Sequence, residues 1–208
     1  WSDLDEISDM LDNNMLDNKA YNLRDRGPAG GWIFHIVKNG DGTTTYYEAA
    51  PVDQEKEGPP GVFDMTWGRQ NIDENGEDSS LPPELTGIGD GKTNSRYIYE
   101  EYAGSLDDYP AFQACYNYTG GGYTDWFLPS KDELEQMCWI LNSRDTGGND
   151  NPDYGDNRVG GFDDDVYWSS SEGVPGNAFV QSFTTGYQAY GNKEDHDYRV
   201  RAVRAFTY

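Results

Sequence analysis

The stretch Gly121-Gly-Tyr-Thr-Asp-Trp-Phe-Leu-Pro-Ser-Lys-Asp-Glu-Leu134 leads into the clearest helix of the sequence. Ser130 and Glu133 have the spacing of a capping box, in which the serine hydroxyl and the glutamate carboxylate each accept a hydrogen bond from an otherwise unpaired amide. The apolar residues that follow at helical spacing are Leu134, Met137, Cys138 and Leu141. This spacing gives one apolar face, so the sequence predicts an amphipathic helix with Cys138 in the core.

A hairpin is expected near the start of the chain. Residues 32–37 form an unbroken apolar run of strand length, and Asn39-Gly-Asp-Gly42 can turn the chain into the β-forming residues 43–47. Residues 51–92 then contain Pro, Gly and acidic residues with few apolar anchors. They predict a long irregular excursion.

Three further helices are expected outside the capped one. Two of them span residues 93–103 and 109–118, and Gly120-Gly-Gly122 ends the second. Apolar residues at helical spacing within residues 1–25 predict an N-terminal helical extension or stalk. Residues 26–208 are then long enough to form one ligand-binding domain around a single core.

Strands are predicted after the capped helix. Residues 178–183, 187–190 and 198–206 have strand character, and Thr184-Thr-Gly186 joins the first two. The alternation of the last strand changes phase near Val203, which fits a β-bulge. Its arginines, which we expect to meet carboxylates, are Arg199, Arg201 and Arg204.

Charge and composition exclude some classes of partner. The chain has 208 residues and a formal charge of −23, so phosphate backbones would be repelled and no nucleic-acid partner is expected. No apolar stretch approaches the roughly 20 residues of a membrane-spanning helix. The two cysteines, Cys115 and Cys138, could form one bridge, but we expect two separate core thiols.

Catalytic and metal-binding patterns are sparse. His35 is expected to pack in a strand and His196 to be solvated in a loop, so no Ser-His or Cys-His pair is signalled and we expect neither catalysis nor a cofactor. Calcium is the one metal for which oxygen-rich segments exist. These segments are residues 149–156, Asp163-Asp-Asp165, and a partial calcium loop of Asp73, Asn75, Glu77 and Glu84 in which Asp78 replaces the turn glycine.

Several sequence blocks together carry a family resemblance. They are Gly27-Pro-Ala-Gly-Gly-Trp-Ile-Phe34, Tyr47-Glu-Ala-Ala-Pro51, Thr86-Gly-Ile-Gly89 with Gly91-Lys92, the stretch from Gly121 to Leu134, Tyr167-Trp-Ser-Ser-Ser-Glu172 and Arg199-Val-Arg-Ala-Val-Arg-Ala-Phe206. The chain resembles the bacterial family named for the C-terminal domain of a Legionella collagen-like adhesin. The resemblance covers nearly everything after about residue 26.

The resemblance implies an α+β C-type lectin fold, with a mixed or antiparallel sheet, paired terminal strands, packed helices and long irregular loops. It places the strand at residues 32–37 beside the strand at residues 198–206. It also implies an extracellular location, on a cell surface or a phage particle, and a protein or cell-surface ligand. The sugar-binding signatures Glu-Pro-Asn, Gln-Pro-Asp and Trp-Asn-Asp of calcium-dependent lectins are absent.

Many relatives with this ending are variable proteins of diversity-generating retroelements, in which mutagenesis at template adenines rewrites surface codons between framework residues. The resemblance implies a displayed segment at about residues 173–198, with framework positions such as Phe179, Phe183 and Gly186. The implied ligand-binding residues are Asn177, Val180, Gln181, Ser182, Thr184, Thr185, Tyr187, Gln188, Ala189, Tyr190, Asn192, Asp195, His196, Asp197 and Tyr198. We expect them to share one outward face, because a binding surface needs rigid rings and adaptable polar groups on a fixed scaffold.

Two alternatives belong to other classes. A fixed-specificity adhesin domain would use the same surface for one ligand only. Formylglycine-generating oxidases share the fold and use cysteines with copper, but that chemistry would need Cys115 and Cys138 to converge in an open pocket.

Overall fold

The computed structural model describes residues 20–57, 60–70, 85–142 and 158–208, in which strands and helices alternate with long loops. The strands are β1 (Trp32–Lys38), β2 (Thr44–Ala49), β3 (Val166–Glu172), β4 (Asn177–Ser182), β5 (Gln188–Asn192) and β6 (Val203–Thr207). The helices are α1 (Asp90–Glu101), α2 (Pro110–Asn117) and α3 (Lys131–Leu141), with 3₁₀ turns at Leu106–Asp108 and Gly120–Gly122. None of the described helices has the length and apolar character needed to cross a bilayer.

Helix α3 confirms the capping-box prediction. The Glu133 N–H donates to the Ser130 hydroxyl (3.2 Å), and the Ser130 N–H donates to the Glu133 carboxylate (2.8 Å). Leu134 and Cys138 are buried on the apolar face of the helix. The helix packs against β1, β3 and β4, so it lies between strands of both sheets.

The first sheet has the antiparallel order β1-β2-β6. The predicted pairing of the first strand with the C-terminal strand is therefore wrong, although both strands belong to one sheet. Strand β2 bonds β1 on one side and β6 on the other, with Ala49 opposite Val203. The outer edge of β1 is taken by preceding residues, because Arg24 N–H donates to Ile33 and Ile33 N–H donates to Asp25.

Residues 20–25 belong to the body of the domain and contain no helix. The Tyr21 ring is buried and meets Tyr46 edge-on, with ring centroids 5.3 Å apart. Residues 21–25, which the prediction assigned to the extension, therefore contact the first sheet. Residues 1–19 of the expected extension lie outside the described residues.

The second sheet has the antiparallel order β3-β4-β5. Strand β3 was not predicted, because its sequence Val-Tyr-Trp-Ser-Ser-Ser-Glu shows no alternation of apolar and polar residues. Its three serines are buried, and other segments of the chain provide hydrogen-bond partners for their hydroxyls. The Ser169 hydroxyl donates to the Phe179 carbonyl (2.8 Å), and the Ser171 hydroxyl donates to the Leu85 carbonyl (2.8 Å).

The strand predicted at residues 198–206 is shorter than expected. Only Val203–Thr207 forms a strand, while residues 198–202 cross from the second sheet to the first. Tyr198 bridges to Met65, and Arg199 bridges in parallel to Tyr167. This crossing, rather than a β-bulge, accounts for the change of phase near Val203.

The three arginines of this segment meet carboxylates, as predicted. Their partners are Asp53, Asp64, Asp163 and Asp165 for Arg199, Asp53 for Arg201, and Glu48 and Asp125 for Arg204. Arg201 is fully buried, so its charge belongs to the interior rather than to a sheet face.

Helices and antiparallel sheets together confirm the α+β class and are consistent with a C-type lectin-like fold. One apolar cluster, which contains Trp67, Phe112 and Trp168, lies under the second sheet. Another surrounds α3 and contains Phe34 and Phe183. Ala178 and Val180 of β4 belong to the first cluster and Phe183, directly after β4, belongs to the second, so the two clusters together position the C-terminal segment.

Candidate ligand-binding surface

The predicted ligand-binding residues lie on β4, β5 and the turns at the ends of β5. Antiparallel register places Asn177 opposite Asn192 and Gln181 opposite Gln188. The exposed members are Thr184, Thr185, Tyr187, Ala189, Tyr190, Asp195, His196 and Asp197. The partly buried members are Asn177, Ser182, Gln188, Asn192 and Tyr198.

Two of the predicted positions are not displayed. Val180 is 4 % exposed and packs in the cluster that contains Trp168, because alternate residues of β4 face that core. Gln181 is 0 % exposed. Its side-chain amide donates to the Gly186 carbonyl (2.7 Å) and contacts Cys138, so it holds the turn and packs on α3. Both assignments are corrected from ligand contact to framework.

The expected single outward face is also wrong. Side chains alternate along a strand, so Tyr190 lies on one face of β5 while Tyr187 and Ala189 lie on the other. Tyr190 is 52 % exposed and Tyr187 is 68 % exposed. Because β5 is the last strand of its sheet, both faces of it reach solvent. The displayed residues therefore surround the edge of β5 instead of sharing one face.

Tyr190 sits in a defined setting on its face of the sheet. Its ring centroid lies 4.7 Å from that of Phe179, the residue opposite it on β4. A side-chain carbon at position 173 would lie 2.2 Å from the Tyr190 ring, so Gly173 provides the room for this ring. The Lys131 ammonium lies 5.5 Å above the Phe179 ring. The exposed tyrosine ring is thus held in place by its neighbours.

The turn after β5 uses two of the predicted contact residues to stabilise itself. The Asn192 side-chain oxygen accepts from the N–H groups of Glu194 and Asp195 at 3.0 Å each. The Asn192 N–H donates to Nδ1 of His196 (2.9 Å). His196 is exposed, as predicted, but its ring nitrogen is committed to the turn. The exposed carboxylates of this turn are those of Glu194, Asp195 and Asp197.

Lys193 was not among the predicted residues and anchors this turn. Its side chain is 0 % exposed, and its ammonium lies 2.6 Å from the Glu172 carboxylate at the end of β3. The same ammonium lies 4.4 Å from the centre of the Trp67 ring. Lys193 is the one Lys or Arg in residues 173–198, which distinguishes it in the sequence. A lysine in a polar loop is usually solvated, however, so the sequence alone does not indicate that it is buried. Only its tertiary partners identify it as buried.

Residues 60–70 brace the same turn from outside. The Gln70 N–H donates to the Glu194 carboxylate (2.9 Å), and its side-chain amide donates to the Asn192 side-chain oxygen (3.3 Å). The Trp67 N–H donates to the Lys193 carbonyl (3.1 Å). The irregular excursion therefore has a structural role that its sequence did not indicate.

The acidic run at Asp163, Asp164 and Asp165 does not fit a calcium site. Arg199 lies 2.9 Å from Asp163 and 3.2 Å from Asp165, and Arg158 lies 2.7 Å from Asp164. Each carboxylate therefore faces a guanidinium. Across the described segments, His, Cys, Asp and Glu form no group of three or more that could hold a metal ion. The other proposed calcium ligands, Asp73, Asn75, Glu77, Glu84 and residues 149–156, lie outside the described residues.

The two thiols do not converge. Cys115 and Cys138 are free and buried, and they lie in different apolar clusters. Burial raises the pKa of Cys138 to about 12 and raises the pKa of Cys115 well above its usual value. Neither thiol is therefore ionised near neutral pH, and the open cysteine pocket required by the oxidase alternative does not form. His35 packs edge-on against Tyr47, as predicted for a strand residue.

Two surface pockets lie away from β5. A pocket of about 310 Å³ is lined by residues that include Lys92, Arg96, Tyr99 and Tyr116. A wider one of about 710 Å³ is lined by residues that include Glu55, Glu57 and Phe63. None of the residues that line either pocket is among the predicted ligand contacts.

Comparison with known sequences connects this geometry to a family. The profile described as Lcl C-terminal domain matches residues 63–204, which is more than half of the chain. The match begins within the bracing segment and ends in β6, so it includes the three described helices and the sheet that carries the predicted contacts. Comparison with curated proteins finds no match.

Proposed function

Because the chain belongs to the Lcl C-terminal domain family of lectin-like, adhesin-type domains, we propose that it is a ligand-binding variable protein of a diversity-generating retroelement. In this proposal the domain acts outside the cell, on a cell surface or a phage particle. It binds a protein or cell-surface ligand through the exposed residues around β5. It performs no covalent chemistry.

The distribution of exposed and buried residues in the C-terminal segment supports the proposal. Exposed positions such as Tyr187, Ala189 and Tyr190 alternate with anchors that have defined partners. The anchors are Val180, Gln181, Phe183, Gly191, Lys193 and Val200, all of which are buried. A surface that changes by mutation needs this separation, because changes at buried positions commonly lower stability by 2 kcal/mol or more, whereas surface changes cost roughly 0.5 kcal/mol or less.

The exposed residues also have the chemistry of a paratope. Tyr187 and Tyr190 supply large rings with few rotatable bonds, while Thr184 and Thr185 supply adaptable hydroxyls. The scaffold below them is held by buried ion pairs and aromatic packing. Rigid contacts on a braced scaffold reduce the entropy that is lost on binding.

Two display libraries test this function without knowledge of the natural ligand. One library randomises Thr184, Tyr187, Ala189, Tyr190 and Asp197, and the other randomises the same number of buried anchors. Their positions are Val180, Gln181, Phe183, Lys193 and Val200. The first library should remain folded on the yeast surface and yield binders to a chosen protein such as lysozyme, while the second should lose folded display. Equal tolerance in both libraries, or no binders from the first, would contradict the proposal.

Sibling sequences distinguish the variable protein from a fixed-specificity adhesin. The proposal expects a nearby reverse transcriptase gene and a near-copy of the final segment with adenines at the codons of Tyr187, Ala189 and Tyr190. The codons of Gln181 and Lys193 should not vary. Siblings that differ no more at exposed than at buried positions would favour the fixed-specificity adhesin.

A further inference from the structure

The outer strands of the two sheets differ in how their edges are covered. The β1 edge is bonded by Arg24 and Asp25, and the β6 edge by Phe127, which exchanges two backbone hydrogen bonds with Val203 (2.8 and 2.9 Å). The β3 edge is bonded by Arg199, which accepts from the Trp168 N–H at 2.9 Å. Strand β5 is the remaining edge, and within the described part of the chain it pairs with β4 alone.

The hydrogen bonds at the two ends of β5 define which of its amides face outward. The Ser182 N–H donates to the Tyr187 carbonyl (2.9 Å), and the Lys193 N–H donates to the Gly176 carbonyl (3.1 Å). In an antiparallel ladder the bonded pairs occur at every second residue. The backbone groups of residues 187, 189, 191 and 193 therefore point toward β4. Those of Gln188, Tyr190 and Asn192 point away from it.

The protein itself satisfies only some of these outward-pointing backbone groups. The Asn192 N–H donates to the His196 ring, and the His196 N–H donates to the Asn192 carbonyl (3.3 Å). No described residue bonds the backbone N–H or C=O of Gln188 or Tyr190. The strand sequence Gln-Ala-Tyr-Gly-Asn also contains neither a charged residue nor proline, the usual means of protecting an exposed edge.

We propose that the β5 edge at Gln188 and Tyr190 binds an extended, basic segment of a partner protein as an added antiparallel strand. This inference rests on the proposed ligand-binding function and deepens it. Main-chain hydrogen bonds supply part of the affinity, and the side chains around the edge supply the selectivity. It also explains why the displayed residues occur on both faces of β5, because an added strand meets both faces.

The charges around the β5 edge favour a basic partner segment. The turn that follows β5 presents Glu194, Asp195 and Asp197 as exposed residues, whereas Lys193 is buried against Glu172. Lys131, whose carbonyl accepts from the Gln188 side chain, has its ammonium 3.0 Å from Asp132. A second copy of the chain would bring another formal charge of −23 to this edge and would be repelled. A segment rich in Lys and Arg would be attracted.

Random linear peptides on phage, selected on the full chain, supply the probe. The selected pool should be enriched in Lys, Arg and β-branched residues. The affinity of a synthetic peptide from the pool should fall at least about tenfold when alternate residues are N-methylated, because this removes donors that a strand needs. A pool without basic enrichment, no enrichment of any peptide, or an N-methylated peptide that binds equally would overturn the proposal.

A matched pair of variants isolates the backbone of the edge. Tyr190→Ala removes the ring and keeps the outward N–H, while Tyr190→Pro also removes the N–H, which faces solvent and is therefore replaceable. Peptide affinity should be at least about tenfold lower for Tyr190→Pro than for Tyr190→Ala. Circular dichroism checks that both variants are folded. If Tyr190→Pro does not fold, the comparison of Gln188→Pro with Gln188→Ala replaces it.

The outcomes separate this inference from the proposed function. Equal peptide binding by Tyr190→Pro and Tyr190→Ala, together with successful lysozyme binders from the surface library, would overturn only the added strand. Failure of the surface library would overturn the proposed function itself. Sedimentation that shows a dimer of the native chain, lost in Tyr190→Pro, would overturn the choice of a basic partner in favour of a second copy.

Discussion

At the scale of single residues, Glu133 shows how one side chain serves two elements. Its carboxylate accepts from the Ser130 N–H at the start of α3 and from the Gly89 N–H before α1, at 2.8 Å each. Among the described residues no cation pairs with it. Burial is the largest cause that raises the pKa of Glu133 to about 7, and the nearby Asp90 adds to the rise.

This raised pKa predicts a pH-dependent stability. Because the folded state favours the protonated carboxyl, the stabilisation is complete below the ordinary pKa of 4.5 and is lost as the pH rises through about 7. Urea unfolding should give a free energy roughly 3 kcal/mol higher at pH 5 than at pH 8 from this group. Glu133→Gln should remove most of that difference.

Asp41 provides the matched control for this measurement. It is an exposed turn residue whose pKa is lowered by hydrogen bonds from Thr43, so it stays ionised from pH 5 to pH 8. Asp41→Asn should leave the pH profile unchanged in that range. Parallel profiles for the native chain and Glu133→Gln would show that Glu133 does not titrate as expected.

At the scale of elements, the sheet β3-β4-β5 and the turn after it behave as one braced unit. The Lys193 ammonium ties this turn to Glu172 at the end of β3, and Gln70 bonds the turn from the excursion. The exposed residues of β5 therefore rest on contacts between segments far apart in sequence. A change in the ion pair should affect the whole surface.

Lys193→Met tests this element. It removes the ammonium from the mostly buried Glu172 carboxylate, so the free energy of unfolding should fall by about 3 kcal/mol. The double variant Lys193→Met with Glu172→Gln should recover part of the loss, because no charge is then left buried. Chemical denaturation measures both changes.

The neighbouring Asp195→Ala is the control for Lys193→Met. Asp195 is exposed, and only its backbone N–H bonds the turn. Its replacement should change stability by roughly 0.5 kcal/mol or less. A loss of that size for Lys193→Met would mean that the ion pair does not hold the turn.

At the scale of the whole molecule, residues 198–202 join the two sheets, and Arg201 holds them together. Its guanidinium donates to Asp53 (2.7 Å) and to the carbonyls of Ala50, Gly160 and Gly161 at 3.0, 2.7 and 3.1 Å. It also lies 4.0 Å from the Phe162 ring. This one side chain therefore joins its own segment to residues 50–53 and to residues 160–162 in the interior.

Arg201→Lys should lower the free energy of unfolding by about 3 kcal/mol, because an ammonium cannot reproduce the planar set of donors. Arg158→Lys is the control, since Arg158 forms a partly exposed pair with Asp164 and should change stability by roughly 0.5 kcal/mol or less. Thermal unfolding of the two variants measures the difference. Similar melting temperatures for the two variants would mean that Arg201 contributes no more to stability than Arg158 does.

Local signals in the sequence determined the capped helix α3 and the β1–β2 hairpin, because capping, turn chemistry and periodicity depend on neighbours along the chain. The family resemblance implied the α+β class. Several sequence blocks taken together were enough to indicate the family. Local signals also located the C-terminal strands β4 and β5, whereas the family resemblance implied which residues on and beside β5 are displayed.

Tertiary structure alone decided that β6 pairs with β2, that β3 is a strand of buried serines, and that Gln181 and Lys193 are interior. Each of these depends on partners distant in sequence, such as Cys138 for Gln181, Glu172 for Lys193 and Leu85 for Ser171. A polar side chain is buried only where such partners satisfy it, and composition cannot reveal where they lie.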